Sequence, residues 1–314
     1  MARITHGCGP HGRGERGGRG VYRTGDPEER AEGALTGRRG HLGGGFTLVE
    51  LLVVMAVIAL LTGILLPSIS GVHRRAREGK CLSNLRQMGV AWMLYANDAA
   101  DRAMPLAYWS IEDIGSGPQV FWWGTHGTAT TPPDYDRGFL APYMSDSLRE
   151  GSVFECPEQK WGTYRPQGPS RTITSTYGYN GYYLSPAKTP GWAYSIGHRP
   201  WRRVSDVRRP SALFVFGDTL LPGYGSQMPS NNALLDPPLL YSRSGGGRWR
   251  PNPSPTTAFR HGGGRVAMMH ADGHARSIAS EPDWLTHPEQ GIGSVGGEGG
   301  IAPGYVPDWA EWIR

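Results

Sequence analysis

His261, His270, Asp272 and His274 fall in one short stretch of the chain, and Asp218 is a further carboxylate that a fold could bring near them. Imidazole and carboxylate are donors that zinc accepts, which makes a metal-dependent enzyme one reading. A plainer reading competes with it. Asp272-Gly273 favours a tight turn, His270 and His274 flank that turn, and His261 stands before three glycines. The histidines are then surface or hydrogen-bonded strand residues, and this is the reading the spacing favours. The cysteines are Cys8, Cys81 and Cys156. If residues 1–45 are removed, Cys81 and Cys156 remain as an even pair. They either form a disulfide in an oxidising compartment or pack as two small apolar thiols. Spacing alone cannot say whether their Cα atoms are close enough to bridge. The GGGR runs at 245–248 and 262–265 lack the lysine and following helix of a phosphate loop.

The chain that must position these groups has 314 residues, 38% of them apolar, with 47 glycines, 26 prolines and a mean hydropathy of -0.42. That composition favours turns and short strands over a helical bundle. The net charge is +5, but residues 1–45 hold eight Arg against five Asp or Glu, so the remainder carries about +2. A near-neutral body gives no clustered basic face for nucleic acid. Residues 1–45 are polar, Gly- and Arg-rich and without periodicity, as expected of a disordered leader.

FTLVELLVVMAVIALLTGILLP, residues 46–67, is long and apolar enough to span a bilayer as a helix. Its one charge, Glu50, lies near the start, where burial costs less than at the bilayer centre. Arginines flank both ends, so local charge leaves the orientation open. A cytoplasmic leader with an exported head is favoured because the large domain follows the span. Pro67 is expected to kink the helix rather than stop it. Over 68–97, Cys81, Leu85, Met88, Trp92 and Tyr95 recur as one helical stripe opposite Ser83, Arg86, Gln87 and Asn97. One continuous helix over 46–97 would be about 78 Å long. Beyond it, strands are expected at 120–123, 172–179, 212–217, 265–271 and 274–279. Asp272-Gly273 is expected to form a type I′ hairpin turn, and 222–256 and 286–308 to be long loops.

The segment from Gly45 to Pro67 closely resembles the type IV pilin and type II secretion pseudopilin family. The resemblance implies cleavage by a prepilin peptidase between Gly45 and Phe46, N-methylation of Phe46, and Glu50 as the residue that pairs with a neighbouring subunit's N-terminal amine. The head more loosely resembles pilin-like proteins that end in a His…Asp-Gly motif. The matching pieces are CLSNLRQMG at 81–89, YANDAADRAMP at 95–105, FECPE at 154–158, TYGYN at 176–180, FGD at 216–218 and RHGGGRVAMMHADGHA at 260–275. Ten residues separate His261 from Asp272 where that group usually has nine, and the leader is longer than most.

These resemblances imply an α+β, pilin-like fold with a long N-terminal transmembrane helix and an antiparallel β-sheet head with long loops. The expected domains are a leader at 1–45, a transmembrane and assembly helix at 46–67, its amphipathic continuation at 68–97 and an exported head at 98–314. The implied function is a structural, non-catalytic subunit of a pseudopilus or pilus-like fibre. Its partners would be prepilin peptidase, other pilin-like subunits and inner-membrane lipid, with no nucleic acid. The implied place is the bacterial inner membrane, crossed once, with the leader cytoplasmic and the head periplasmic or extracellular.

No cofactor is expected. Calcium is an option by analogy with major pseudopilins, from Asp98, Asp101, Asp134, Asp136 and Asp218, although no recognisable calcium loop is present. The alternative function is a tethered exported domain that binds a ligand such as a glycan, suggested by eleven tryptophans. An ordinary signal peptide cut after Ser70 is a weaker rival, because the apolar run is long for one and contains Glu50.

Overall fold

The computed structural model describes residues 45–108, 117–127, 131–164, 172–185, 201–225, 227–242, 248–296 and 302–308. Residues 1–44 of the expected leader, Cys8, and Trp109, Trp192, Trp309 and Trp312 lie outside them. The chain divides into two compact units, Met1–Ala56 and Val57–Arg314.

In the first unit the described backbone is irregular from Gly45 to Thr47 and then enters helix α1, Leu48–Asp98. Thr47 and Glu50 start the helix as a capping box. The Glu50 carboxylate accepts the Thr47 N–H at 2.8 Å, and the Thr47 hydroxyl accepts the Glu50 N–H at 3.2 Å. Two N–H groups that a helix start leaves unbonded are thereby satisfied. T-x-x-E before an apolar run is the sequence signature of this cap.

In the second unit α1 runs unbroken through position 67. By length and composition it can cross a membrane. From Cys81 on, its apolar stripe turns inward: Cys81, Leu85, Met88 and Trp92 are fully buried, while Ser83, Arg86, Gln87 and Asn97 are exposed. The helix ends where Ala100 and Asp101 adopt left-handed backbone and Asp101 N–H bonds back to Ala96 O at 2.8 Å.

That stripe packs on a four-stranded antiparallel sheet. In spatial order it comprises β10 (Ala275–Ala279), β9 (Arg265–His270), β5 (Phe214–Asp218) and β4 (Tyr177–Tyr179). The fold is thus α+β and pilin-like: a long N-terminal apolar helix followed by antiparallel sheet. β5 is buried along its whole length and carries a bulge between Phe214 and Phe216. Smaller sheets surround it. β1 (Ala107–Tyr108), β2 (Val120–Phe121) and β3 (Gly124–Thr125) form one, and β8 (Thr257–Ala258) pairs with β11 (Ile292–Gly293). A four-residue helix, α2 (Gly181–Leu184), follows β4, with buried Asn180 as its cap.

Several expectations change. The strand expected at 120–123 stops at Phe121, because Trp122 and Trp123 form the turn that pairs β2 with β3, and the 286–308 stretch contains β11. The 222–256 stretch is not wholly loop, because β6 (Leu239–Ser242) and β7 (Arg248–Pro251) form a hairpin. Tyr241 and Trp249 pair across it, with ring centroids 5.3 Å apart. Such a two-strand unit is too short for period-2 patterning to stand out. Of 172–179, only Tyr177–Tyr179 is strand. Residues 175 and 176 instead turn their hydroxyls onto backbone: Ser175 donates to Phe154 O at 2.7 Å, and Thr176 accepts from Cys156 N at 2.6 Å. The Asp272-Gly273 turn is not type I′, which needs positive φ at both central residues. Gly273 alone is left-handed, at φ 88°. Gly273 N–H bonds to His270 O and His270 N–H to His274 O, both at 2.9 Å, which makes a three-residue loop. Asp272 keeps negative φ and caps His274 N–H at 3.2 Å.

Candidate functional site

Two places bear on function. The first is the N-terminal segment. Gly45 and Phe46 lie in non-helical, exposed backbone just before α1, so the bond between them is not tied into helical hydrogen bonding. Both Thr47 donors, N–H and O–H, reach the same Glu50 oxygen, Oε2, each at 2.8 Å. From Phe46 to Leu66 every large apolar side chain is at least 46% exposed in the isolated chain. An apolar surface of that extent needs lipid or protein around it.

The second place lies inside the head. Cys81, Cys156, Asp218 and His261 converge, with one donor atom from each lying within 4.8 Å of all the others. All four are at most 2% exposed. Each arrives from a different element. Cys81 opens the inward stripe of α1. Cys156 sits in a loop held by Ser175 and Thr176. Asp218 ends β5, opposite Tyr177 of β4. His261 pairs with Arg265 across the three glycines, of which Gly263 and Gly264 take left-handed φ of 78° and 66°. That conformation suits glycine because no Cβ opposes it.

Polar atoms converge within this cluster. His261 Nε2 stands 3.0 Å from Asp218 Oδ2 and 3.6 Å from Cys156 Sγ. Cys81 Sγ is 3.8 Å from Asp218 Oδ2 and accepts the Tyr177 hydroxyl at 3.3 Å. Ala267 N–H donates to Asp218 Oδ2 at 3.0 Å, and Arg260 stands 3.9 Å from Oδ1. Asn84, on the next turn of α1, donates to Glu155 O and to the Tyr177 hydroxyl. His261 Nδ1 is buried and has no hydrogen-bond partner among the described residues.

The charges follow from this packing. Burial opposes ionisation of Asp218, but His261, Arg260 and the Ala267 N–H outweigh it and hold the carboxyl below its usual range. Burial likewise opposes charge on His261, yet its bonds to Asp218 and Cys156 push its pKa up to about 10. Burial and the nearby anions raise the Cys81 thiol. Burial acts in the same direction on Cys156, but hydrogen bonds from Cys81 and His261 and the charge of Arg260 prevail and lower it.

The structure divides the residues singled out in sequence. Cys81 and Cys156 come together as two free, buried thiols. His261 and Asp218 join them, whereas His270, Asp272 and His274 do not. His270 stacks on His274 with centroids 4.0 Å apart and accepts from Arg276 Nε at 3.2 Å, while His274 Nδ1 meets Asp272 Oδ1 at 2.5 Å. This is a hydrogen-bonded hairpin end, because the turn geometry points its polar groups at one another. The five aspartates considered for calcium do not gather at one place among the described residues. Asp98 holds the Tyr143 hydroxyl, Asp101 holds Ser205, Asp134 caps a short 3-10 helix and accepts the N–H of Asp136 within it at 3.0 Å, and Asp218 is in the cluster. None of the described tryptophans is exposed, and Trp92, Trp122 and Trp123 are core. In sequence the two cysteines are weighed only against each other, as a bridged pair or as two packed thiols, and not with Asp218 and His261. The available signal was that all four occur in the short motifs of the head, CLSNLRQMG, FECPE, FGD and RHGGG.

Residues 44–66 match the family model of the prokaryotic N-terminal methylation motif. No curated protein and no solved structure matches the chain. The motif marks a prepilin-like N-terminus, of the kind processed by prepilin peptidase. Together with the apolar start of α1 it indicates a membrane-anchored exported protein.

Proposed function

We propose that this chain is a structural, non-catalytic subunit of a type II secretion-like pseudopilus or a type IV pilus-like fibre. The observation that carries the reading is the exposed apolar surface from Phe46 to Leu66, headed by Gly45-Phe46 and Glu50. In the inner membrane that surface meets lipid, and in a fibre it meets the same segment of other subunits. Cleavage after Gly45 creates an amine on Phe46. The Thr47 bonds occupy Glu50 Oε2, which leaves Oε1 to receive a neighbour's amine. Pairing two charges that would otherwise be buried singly fixes register between subunits more surely than it adds stability.

Mass spectrometry of the mature protein should find N-methyl-Phe46 at the N-terminus. A mature start at Gly71 would instead identify a cleaved signal peptide and end this reading. Glu50→Ala should still be cleaved but should lose fibres in electron micrographs of cells. Normal fibres in that variant would remove Glu50 from the mechanism. Absence of any fibre that depends on this protein would favour a tethered, non-assembling domain.

A further inference from the structure

The geometry points to a structural zinc site in the head, with Cys81 Sγ, Cys156 Sγ, one oxygen of Asp218 and His261 Nε2 as its four ligands. Tetrahedral zinc with bonds of about 2.0–2.3 Å to nitrogen, oxygen and sulfur places its ligand atoms about 3.4–3.8 Å apart. The observed separations of 3.0 Å for Nε2 to Oδ2, 3.6 Å for Nε2 to Cys156 Sγ and 3.8 Å for Cys81 Sγ to Oδ2 lie within a few tenths of an ångström of those edges. The donor set is mixed sulfur, nitrogen and oxygen, which suits borderline-soft zinc better than calcium or magnesium.

The surroundings suit an ion as well. Loading releases the two thiol protons and the imidazolium proton, leaving two thiolates, one carboxylate and a neutral imidazole. Their charge of −3 against Zn²⁺ leaves −1, and Arg260, 3.9 Å from Asp218 Oδ1, neutralises it. Asn84, Tyr177 and the Ala267 N–H hold ligands or ligand neighbours in place, as outer-shell groups do. The ring of His261 directs its Nε2 at the cluster, toward Asp218 and Cys156.

Four protein ligands and near-complete burial leave no open position for water or substrate, which separates this site from a catalytic one. Its effect is mechanical. Cys81 belongs to α1 and the other three ligands to the sheet and its loops, so the ion would clamp the helix to the head. It would also hold two neighbouring thiols apart from oxidation in an exported protein.

The test uses the full chain, extracted in detergent without chelator and supplied with zinc alone. Elemental analysis should find about one zinc per chain, and X-ray absorption should show two sulfur neighbours at about 2.3 Å. Cys156→Ser and His261→Ala should lose most of the metal. Asp272→Ala and His274→Ala should retain it. Glu50→Ala should also retain it, so failure of fibre assembly and failure of the metal site are separately visible. Wild-type protein without bound zinc, a zinc spectrum lacking the sulfur shell, or an intact mass showing a Cys81–Cys156 disulfide would each overturn the proposal.

Discussion

Under the proposed function Glu50 has two partners, and they make different demands on it. Within the chain it closes a capping box with Thr47. Between chains it would receive a Phe46 amine. Thr47→Ala removes the hydroxyl half of the cap, worth about 1 kcal/mol, while the backbone N–H of residue 47 can still donate to the carboxylate. Fibre counts in Thr47→Ala should therefore stay near wild type while those in Glu50→Ala collapse. Equal losses would mean that the cap, and not the intersubunit pair, is what assembly needs. Asp236 supplies a prediction inside the head. Burial alone pushes its pKa up to about 7, above the ~3.9 of an unfolded aspartate. Between those values the native state holds a proton that the unfolded chain has released. The contribution is complete below about pH 4 and is lost as pH rises to about 7. Asp236→Asn, always neutral, should remove that slope. Thermal unfolding of both proteins from pH 4 to 8 should show wild type losing stability relative to the variant, and a constant gap would refute the assignment.

Glycines of this chain differ in how much room surrounds them. In β4, a Cβ on Gly178 would stand 2.5 Å from the Leu234 carbonyl carbon and 2.4 Å from Thr219 Cγ2. Backbone cannot swing aside as a side chain can, so Gly178→Ala should destabilise the head by about 1–3 kcal/mol. Gly79 of α1 is the opposite case: it is exposed, and a Cβ there meets nothing within 4 Å. Gly79→Ala should stabilise the helix by up to about 1 kcal/mol, since alanine is the better helix former. Denaturant midpoints of the two variants should move in opposite directions. Movement in the same direction would show that packing around one of them differs from that described.

At the scale of the whole molecule, one chain serves two solvents. α1 begins with a surface that only lipid or other apolar helices can cover and continues as the inward stripe of a water-facing domain. The protein should therefore stay with membranes through an alkaline carbonate wash and leave them in detergent. Release by carbonate would contradict a membrane-anchored state. The N-terminal part of this arrangement is legible in sequence because it is local. Gly45-Phe46, the offset of Glu50, the apolar run and the period of Cys81, Leu85, Met88 and Trp92 are all fixed by spacing along one helix. The strand Arg265–His270 falls in an expected segment, and Phe214–Asp218 overlaps the expected 212–217 and runs one residue past it, since strand patterning is local too.

The Cys81, Cys156, Asp218 and His261 cluster could not be read that way. Its members come from a helix, a loop, a strand end and a glycine turn, and up to 180 positions separate them, from residue 81 to residue 261. Sequence proximity grouped His261 with His270, Asp272 and His274, and a three-residue turn binds the last three to one another instead. By itself the sequence determined the processing motif, the apolar helix and its inward face, because those depend on neighbours along the chain. Only the tertiary structure decided which thiols, imidazole and carboxylate meet, because antiparallel pairing and the packing of α1 on the sheet set distances that no local spacing encodes.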